Sequence, residues 1–375
     1  MRISILKESR PGERRVAATP DTVKKYIQLG ADVVVETSAG VTASITDDAY
    51  KDAGATIAAT AADALKDADI ILKVQGPDAG DLNAYPKSAI LTATLNPFGE
   101  REALDAIASH GLTSFAMEFM PRITRAQSMD VLSSQSNLAG YKAVLDACAE
   151  YGRAFPMMMT AAGTVAPAKV FIMGAGVAGL QAIATAKRLG AIVTATDVRL
   201  AAKEQVESLG GKFIMVDDDE AKEAETAGGY AKEMSDDYKR KQAELVASHI
   251  QKQDIVITTA LIPGRPAPRL ITADMIASMR PGSVVVDLAV EQGGNVEGSQ
   301  AGEVVDVNGV AIVGHRNVPS RLAADASALY AKNLLNFLTP LVDKEKGVLA
   351  IDWEDEIIKG TLVTKDGAIP HPNLS

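Results

Sequence analysis

The chain has 375 residues, 47% of them hydrophobic, and a formal net charge of -10 at pH 7. This length exceeds that of one ordinary core and predicts two domains, while the acidic balance without a basic stripe argues against a nucleic-acid partner. A single cysteine excludes an internal disulfide framework, and four scattered histidines without a CxxC pair predict that no metal is bound.

Short apolar runs alternate with segments of helical periodicity along the whole chain. The predicted strands are RISIL, DVVVE, DIILKV, AILTA and TSFAME in the N-terminal half, and KVFIM, AIVTATD, DIVITTA, SVVVDLA and VAIVG in the C-terminal half. This is the β-α-β pattern of parallel sheets. The predicted fold class is therefore α/β, with two Rossmann-like doubly wound parallel-sheet domains. No run of about 18 apolar residues is present, so no membrane span is expected.

Two long helices are predicted at the junctions of the domains, at about 136–153 and 320–340. They divide the chain into a discontinuous N-terminal Rossmann-like domain, 1–135 plus 320–375, and a second Rossmann domain, 136–319. After the second helix, VLAIDWEDEII and TLVTKDGAI predict a hairpin. A hairpin of this size is unstable alone, so we expect it to pack on the first domain.

An acidic segment interrupts the second domain at 217–240, with the sequence DDDEAKEAETAGGYAKEMSDDYKR. A polar insertion of this length is typical of a mobile functional loop, and the alternative is a pair of solvated acidic helices. A second polar concentration, PRITRAQSMDVLSSQSNLAGY at 121–141, lies between a predicted strand and a predicted helix. A linker needs few such groups, whereas a site for a polar ligand needs many.

The clearest motif is KVFIMGAGVAGLQAIATAKRLGAIVTATDVR. Gly174, Gly176 and Gly179 have GxGxxG spacing between a predicted strand and a predicted helix, and Asp197 ends the next strand. Together these features predict a dinucleotide site whose pyrophosphate faces the helix N-terminus. Asp197 favours NAD, because a 2′-phosphate about 4 Å away would cost around 4 kcal/mol at an effective dielectric near 20. Arg199 could accept a phosphate, but we expect it to lie over the adenine or to face solvent.

Two further polar clusters follow predicted strands, at 258–268 and 287–295. Ligands in such folds bind beyond the carboxyl ends of strands, so Leu261 is expected in the nucleotide pocket. Asp287 and Glu291 either belong to this site or only cap helices and pair with arginines.

The chain resembles the NAD(H)-binding component of proton-translocating nicotinamide nucleotide transhydrogenases. The resemblance is carried by KESRPGERRVAATP, RAQSMDVLSSQSNLAGY, the glycine motif, ETAGGYAKEM and NVPSRLAADAS. It implies a homodimer that binds NAD(H) and docks with an NADP(H)-binding component and a membrane-spanning component. Hydride then passes directly between the two nicotinamides, coupled to proton translocation. It also implies a cytoplasmic protein, peripheral on the cytoplasmic face of the inner membrane through its partners.

The resemblance also implies roles for individual residues. The catalytic clamp, which grips the nicotinamide and its ribose, would consist of Arg122, Gln127, Asp130 and Ser133. The remaining cofactor-binding residues would be Gly174, Gly176, Val177, Gly179, Asp197, Val198, Arg199, Gly229, Tyr230, Gln242 and Leu261. Tyr230 corresponds to the tyrosine of the family's mobile loop.

The alternative function is that of an NAD-dependent amino-acid dehydrogenase, because alanine dehydrogenases share the architecture. That chemistry needs a lysine and a histidine to bind the substrate and move a proton. Lys73 matches the lysine position, but Asn96 stands where the relatives have histidine. A non-catalytic NAD-sensing module is a third possibility, since catalysis by this chain requires a partner.

Overall fold

The computed structural model describes residues 1–216 and 234–374. The chain forms two compact units, one made of Met1–Gln135 with Pro319–Ser375 and the other of Ser136–Val318. Each unit has its own parallel sheet.

The helices and strands of the described residues are numbered in chain order. The helices are α1 Pro20–Gln28, α2 Asp47–Asp52, α3 Ala61–Leu65, α4 Arg101–His110, α5 Val131–Glu150, α6 Val177–Arg188, α7 Ala202–Ser208, α8 Asp236–Ile250, α9 Ala273–Ala277, α10 Ala323–Leu338 and α11 Glu356–Thr361. The strands are β1 Arg2–Ile5, β2 Asp32–Glu36, β3 Thr56–Ala58, β4 Ile70–Gln75, β5 Ile90–Thr94, β6 Thr113–Ala116, β7 Met158–Thr160, β8 Gly163–Val165, β9 Lys169–Met173, β10 Ile192–Thr196, β11 Lys212–Phe213, β12 Ile255–Thr258, β13 Val284–Asp287, β14 Val304–Val307, β15 Val310–Val313, β16 Val342–Asp343, β17 Val348–Leu349 and β18 Leu362–Thr364.

The sheet of the first unit has the order β18-β6-β5-β4-β1-β2-β3 and is parallel except for β18. The sheet of the second unit has the order β11-β10-β9-β12-β13-β15-β14 and is parallel except for β14. In each sheet the strand order reverses once, between β1 and β4 and between β9 and β12. The predicted doubly wound α/β fold is confirmed. Such reversal points are where these sheets bind ligands.

Local sequence explains the ends of several helices. Thr19 caps α1 through a capping box with Thr22, and Pro20 supplies the fixed φ of a first helical residue. The helices α1 and α4 end at Gly30 and Gly111, as predicted, with φ values of 83° and 95°. Glycine adopts this left-handed conformation without a Cβ clash, so each glycine ends its helix cleanly.

The long helix α5 spans Val131–Glu150. It begins five residues before the predicted start at about residue 136, because Asp130 provides a cap: its Oδ1 accepts the backbone N–H of Ser133 at 2.9 Å. The division between the two units falls inside this helix, after Gln135. The second predicted long helix is α10, which is flanked by 3₁₀ turns at Val318–Leu322 and Thr339–Leu341.

The prediction of a hairpin in the carboxyl-terminal segment was wrong. The first half of that segment contributes β17, which pairs with β16, and then becomes the helix α11, capped by Asp355. The second half contributes β18, which pairs antiparallel with β6 at the edge of the first sheet. A short isolated hairpin leaves half of its backbone groups unpaired and is marginally stable. The open edge of the first sheet offers β18 a row of backbone partners, so β18 pairs there instead.

Among the described residues, no helix combines the length and the apolar character needed to cross a membrane.

Candidate functional site

The turn after β9 carries the three glycines of the motif. Gly174 has a φ of 102°, and a Cβ there would lie 2.5 Å from the hydroxyl oxygen of Thr259. Gly179, in the first turn of α6, packs so closely that its Cβ would lie 1.8 Å from the carbonyl oxygen of Gly174. At Gly176 a Cβ would have no atom within 4 Å, and α6 begins there without a side-chain cap. Open space before uncapped helix amides suits an anionic group.

Asp197 lies at the end of β10 and is 8% exposed. Its Oδ2 accepts the backbone N–H of Ala175 at 2.8 Å, so the carboxylate is bonded directly to the glycine turn. Arg199 occupies the remaining acceptor positions: its backbone N–H and Nε each donate to Oδ1 at 2.9 Å, and its Nη2 donates to Oδ2 at 2.8 Å. These bonds hold the Arg199 side chain against Asp197 rather than in open solvent, and its expected position over the adenine stays a prediction. A buried carboxylate binds a nearby guanidinium more strongly than water does, because these hydrogen bonds join two opposite charges.

The start of α8 packs beside the segment that follows β10. Met234 and Tyr238 are buried against Val198 in a small apolar cluster. Gln242 lies one helical turn after Tyr238, so it shares that face of α8. The helix begins at Asp236, inside the segment that was predicted as a loop. Gly229 and Tyr230 lie outside the described residues.

The carboxyl ends of β12 and β13 are joined by Asn295, which the sequence reasoning missed. Its Oδ1 accepts the backbone N–H of Ala260 at 3.0 Å, and its Nδ2 donates to the Ala260 carbonyl oxygen at 2.9 Å. This reciprocal pair fixes the backbone just before Leu261, whose side chain is 42% exposed. Asp287 is buried and accepts backbone N–H groups of Ala289 and Asn295. Its role is therefore structural, the second of the two roles considered for it. Glu291 accepts the backbone N–H of Asn317 at 2.8 Å.

In the first unit, the four predicted clamp residues belong to one short stretch. Residues Thr124–Met129 form a 3₁₀ turn whose Ala126 and Met129 are buried, while Gln127 is exposed. Asp130 and Ser133 form a pair at the start of α5, with the Ser133 hydroxyl donating to Asp130 Oδ2 at 2.5 Å. Arg122 precedes the turn and is also exposed.

Three other polar side chains of this stretch hold the stretch itself in place. The guanidinium of Arg125 forms two hydrogen bonds of 2.7 Å with Asp355, the cap of α11. Ser134 donates to Asn333, and Gln135 donates to the Ala326 carbonyl oxygen. The polar concentration thus has an inner set of side chains that supports the stretch, while Gln127 and Arg122 are exposed.

Comparison with known proteins decides the family. Residues 4–139 match alanine dehydrogenase/PNT, N-terminal domain, and residues 143–372 match alanine dehydrogenase/PNT, C-terminal domain. An NAD(P) transhydrogenase subunit alpha protein of Rhodospirillum rubrum is 61% identical over 380 residues, covering 100% of this chain and 99% of that protein. The chain belongs to the NAD(P) transhydrogenase alpha-subunit family.

Two further proteins similar to this transhydrogenase-family chain are a solved structure and a more distant relative. A transhydrogenase structure from Sinorhizobium meliloti has a TM-score of 0.90 at 60% identity and covers 98% of this chain and 100% of that chain. Alanine dehydrogenase of Mycobacterium tuberculosis is 33% identical over 309 residues, or 80% of this chain and 75% of that protein. The predicted resemblance is confirmed, and so are the predictions of a transhydrogenase-type oxidoreductase and of a Rossmann-like fold.

Two buried cationic side chains of the transhydrogenase-family chain are engaged in ion pairs: Lys73, at the lysine position of the alanine dehydrogenase alternative, and Arg15. Lys73 Nζ lies 3.4 Å from Glu8 Oε2, and both side chains are buried. Arg15 is paired with Glu13 at 2.6 Å and donates to Gln135 Oε1 at 2.9 Å. Burial alone would raise the pKa of Glu13, but the hydrogen bonds and the charge of Arg15 lower it to about 2. Each cation thus has a buried carboxylate partner, and the Arg15–Gln135 bond ties the segment between β1 and α1 to α5.

Glu118 is a buried carboxyl group near the carboxyl ends of β5 and β6. Its Oε1 accepts the backbone N–H groups of Leu95 and Asn96 at 2.8 and 2.5 Å, and its Oε2 has no hydrogen-bond partner among the described residues. Burial raises the pKa of Glu118 to about 7, with backbone hydrogen bonds opposing the rise and Glu100 adding to it. The sequence did not indicate a buried carboxyl group here. Glu118 stands at the end of a predicted strand, where a charged side chain is ordinarily expected to face solvent.

We expect Glu118→Gln to remove a pH-dependent part of the stability. Because the folded-state pKa lies above the ordinary value of 4.5, the acid favours folding most below pH 4.5 and loses this contribution as the pH rises through about 7. Relative to wild type, the variant should gain roughly 2–3 kcal/mol in free energy of unfolding between pH 5 and pH 8. Urea denaturation at both pH values measures this gain.

The exposed variant Glu102→Gln on α4 is the matched control, and its profile should run parallel to that of the wild type. Parallel profiles of stability against pH for Glu118→Gln and the wild type would contradict a raised pKa of Glu118.

Across residues 1–216 and 234–374, no group of three or more His, Cys, Asp or Glu side chains is arranged to hold a metal ion.

Proposed function

We propose that this chain is the NAD(H)-binding component of a proton-translocating transhydrogenase. NADH bound to the second unit gives a hydride directly to NADP⁺ held by a separate partner component. NADH becomes NAD⁺ and NADP⁺ becomes NADPH, so the transfer balances without an acid or a base from this chain. A third, membrane-spanning component couples the transfer to proton translocation, and the chain is active only with these partners.

The observation that carries the proposal is the hydrogen bond from the Ala175 backbone N–H to Asp197. It joins the residue suited to ribose hydroxyls with the glycine turn suited to the pyrophosphate. Asp197 also favours NAD over NADP by charge, since a 2′-phosphate beside a buried carboxylate is repelled. Val177, Val198, Gln242 and Leu261 complete the proposed nucleotide site on the second unit, together with Gly229 and Tyr230.

Direct hydride transfer requires positioning rather than acid–base chemistry. The reacting carbons must approach to about 3–3.5 Å with aligned geometry. Gln127 is an exposed polar group on a supported turn, Arg122 is exposed just before that turn, and Asp130 and Ser133 are held as a pair. We propose that they bind the nicotinamide carboxamide and its ribose. An amide clamp of this kind leaves one face of the ring free for the second cofactor.

Attachment to partners would make the chain a peripheral protein on the cytoplasmic face of the inner membrane. We also propose a homodimer. The hairpin β7–β8 and the residue before it expose three consecutive methionines, Met157, Met158 and Met159, by 58%, 44% and 78%. Adjacent flexible apolar side chains of this kind are typical of contact surfaces. Analytical ultracentrifugation of the full chain tests the dimer.

The function is tested by mixing the full chain with an NADP(H)-binding transhydrogenase component and following the reduction of NADP⁺ by NADH. A parallel assay supplies alanine and NAD⁺ without the partner. Transhydrogenation in the first assay with no alanine oxidation in the second supports the proposal. Alanine oxidation by the chain alone would instead assign it to the amino-acid dehydrogenases.

Two glycine variants separate the binding role of the turn from its packing role. Gly176→Ala introduces a Cβ into open space at an ordinary φ of -79°, so the fold should persist while the pyrophosphate loses room and NADH affinity falls at least tenfold. Gly179→Ala places a Cβ 1.8 Å from the Gly174 carbonyl oxygen. Overpacking of this kind costs about 1–3 kcal/mol, which lowers the melting temperature by several degrees.

Thermal melts and equilibrium NADH titrations of both variants measure these effects. Gly176→Ala is the matched control for stability, since its melting temperature should stay within about one degree of the wild type. Unchanged NADH affinity in Gly176→Ala would remove the glycine turn from the site.

A further inference from the structure

The carbonyl oxygen of Ser128 is held by two asparagines from α10. Nδ2 of Asn333 donates to it at 2.9 Å and Nδ2 of Asn336 at 3.0 Å. The two asparagines are three residues apart, so they lie on one face of α10. Ser128 directly follows Gln127 and precedes Asp130 by two residues. The held carbonyl is therefore at the centre of the proposed clamp.

Asn333 differs from Asn336 because it makes a second bond. Its side chain is buried, and its Oδ1 accepts the hydroxyl of Ser134 at 2.7 Å. Ser134 lies in the first turn of α5. One amide thus ties the 3₁₀ turn that carries Gln127 to the helix start that carries Asp130 and Ser133. Asn336 bonds the Ser128 carbonyl of the turn and does not bridge to the start of α5.

The bond to Ser134 continues into the buried part of the unit. Gln135 Nε2 donates to the Ser134 hydroxyl at 3.2 Å and to the Ala326 carbonyl oxygen at 3.1 Å. The Oε1 of Gln135 in turn accepts Arg15, which is paired with Glu13. A continuous hydrogen-bonded chain therefore runs from a buried ion pair to the backbone beside Gln127. Connected networks of this kind restrict a site to one geometry.

We propose that Asn333 is a positioning residue for hydride transfer, acting through the Ser128 carbonyl on Gln127. This inference rests on the function proposed above. A displacement of about 1 Å at a reacting group can slow a reaction about a hundredfold. In the proposed site the glycine turn and Asp197 make the main contacts with NADH. The affinity for NADH should therefore depend little on the exact position of the turn that carries Gln127. Loss of the Asn333 brace should then reduce the rate of transfer and spare binding.

Asn333→Asp is the sharpest variant. It keeps the size of the side chain and the acceptor for Ser134, but it replaces the donor with an oxygen that repels the Ser128 carbonyl. We expect hydride transfer from NADH to NADP⁺, measured by stopped flow in the full chain with its partner component, to slow at least tenfold. The dissociation constant for NADH should stay within about twofold. Asn333→Ala should behave similarly.

Asn83→Asp makes the same chemical change at an exposed position outside the proposed clamp and is the matched control. Its transfer rate should remain within about twofold of the wild type. Thermal melts of all the variants report on folding, and a more destabilised Asn333→Ala leaves Asn333→Asp as the decisive comparison.

Three results would overturn the inference. The first is wild-type transfer by Asn333→Asp, and the second is a loss of NADH affinity equal to the loss of rate, which would indicate a collapsed site. In either case, slow transfer by Gln127→Asn in the same assay leaves the proposed function intact. The third is absence of transfer in the wild type, which removes the proposed function and this inference together.

Discussion

Gln127→Asn should slow hydride transfer about a hundredfold while NADH affinity changes only a few-fold. The substitution keeps the amide and withdraws it by one methylene group, so the chemistry of the contact is unchanged and its reach is shorter. The 3₁₀ turn cannot follow the shorter side chain, because Ala126 and Met129 are buried on either side of Gln127. The Ser128 carbonyl is held as well. Stopped-flow transfer with the partner component and an equilibrium NADH titration measure the two quantities.

Gln28→Asn makes the same chemical change on the exposed side of α1 and serves as the control. Its transfer rate should equal that of the wild type. Transfer at the normal rate in Gln127→Asn would exclude this residue from the clamp. An equal fall in rate and affinity would assign it to binding instead of positioning.

Asp197→Ala should weaken NADH binding about tenfold to a hundredfold, since hydrogen bonds to a charged group are worth roughly 1.5–3 kcal/mol. The structure adds a detail to this expectation. A carboxylate has about four acceptor positions, and in Asp197 they are filled by Ala175 and by three N–H groups of Arg199. Ribose hydroxyls must therefore exchange with the guanidinium, and the net gain lies below that of an unoccupied carboxylate.

The same variant should narrow the discrimination between the two nicotinamide dinucleotides. Without the carboxylate, the repulsion of a 2′-phosphate disappears and Arg199 is released to meet it. NADPH affinity should rise while NADH affinity falls. Glu204→Ala removes one exposed negative charge from α7 in the same unit and controls for net charge. Unchanged affinity for both nucleotides in Asp197→Ala would remove Asp197 from the site.

Patterns of local origin were readable from the sequence. The parallel strands, the helix-ending glycines and the glycine turn with its acidic partner all follow from residue periodicity and from backbone conformations that only certain residues adopt. The parallel pairing of the strands and the positions of Gly174, Gly176 and Gly179 between β9 and α6 agree with these expectations. The start of α5 was misplaced because a cap at Asp130 competes with a periodicity that begins later.

Contacts between distant segments of the chain were not readable. The amide of Asn333 meets the Ser128 carbonyl across 205 residues of sequence, and Arg125 meets Asp355 across 230. The pairing of β18 with β6 and the burial of Glu118 likewise depend on which surfaces meet. No local spacing encodes such partners, because any exposed amide or carboxylate looks the same until a fold surrounds it.

The sequence by itself therefore determined the class of the fold, the glycine turn after β9 and the polar stretch around Gln127. Tertiary structure alone decided which side chains of that stretch hold it in place and which are exposed. It also decided that Arg199 occupies the Asp197 carboxylate. The physical reason is that backbone preferences act over a few residues, whereas burial and hydrogen-bond partnership are properties of the packed chain.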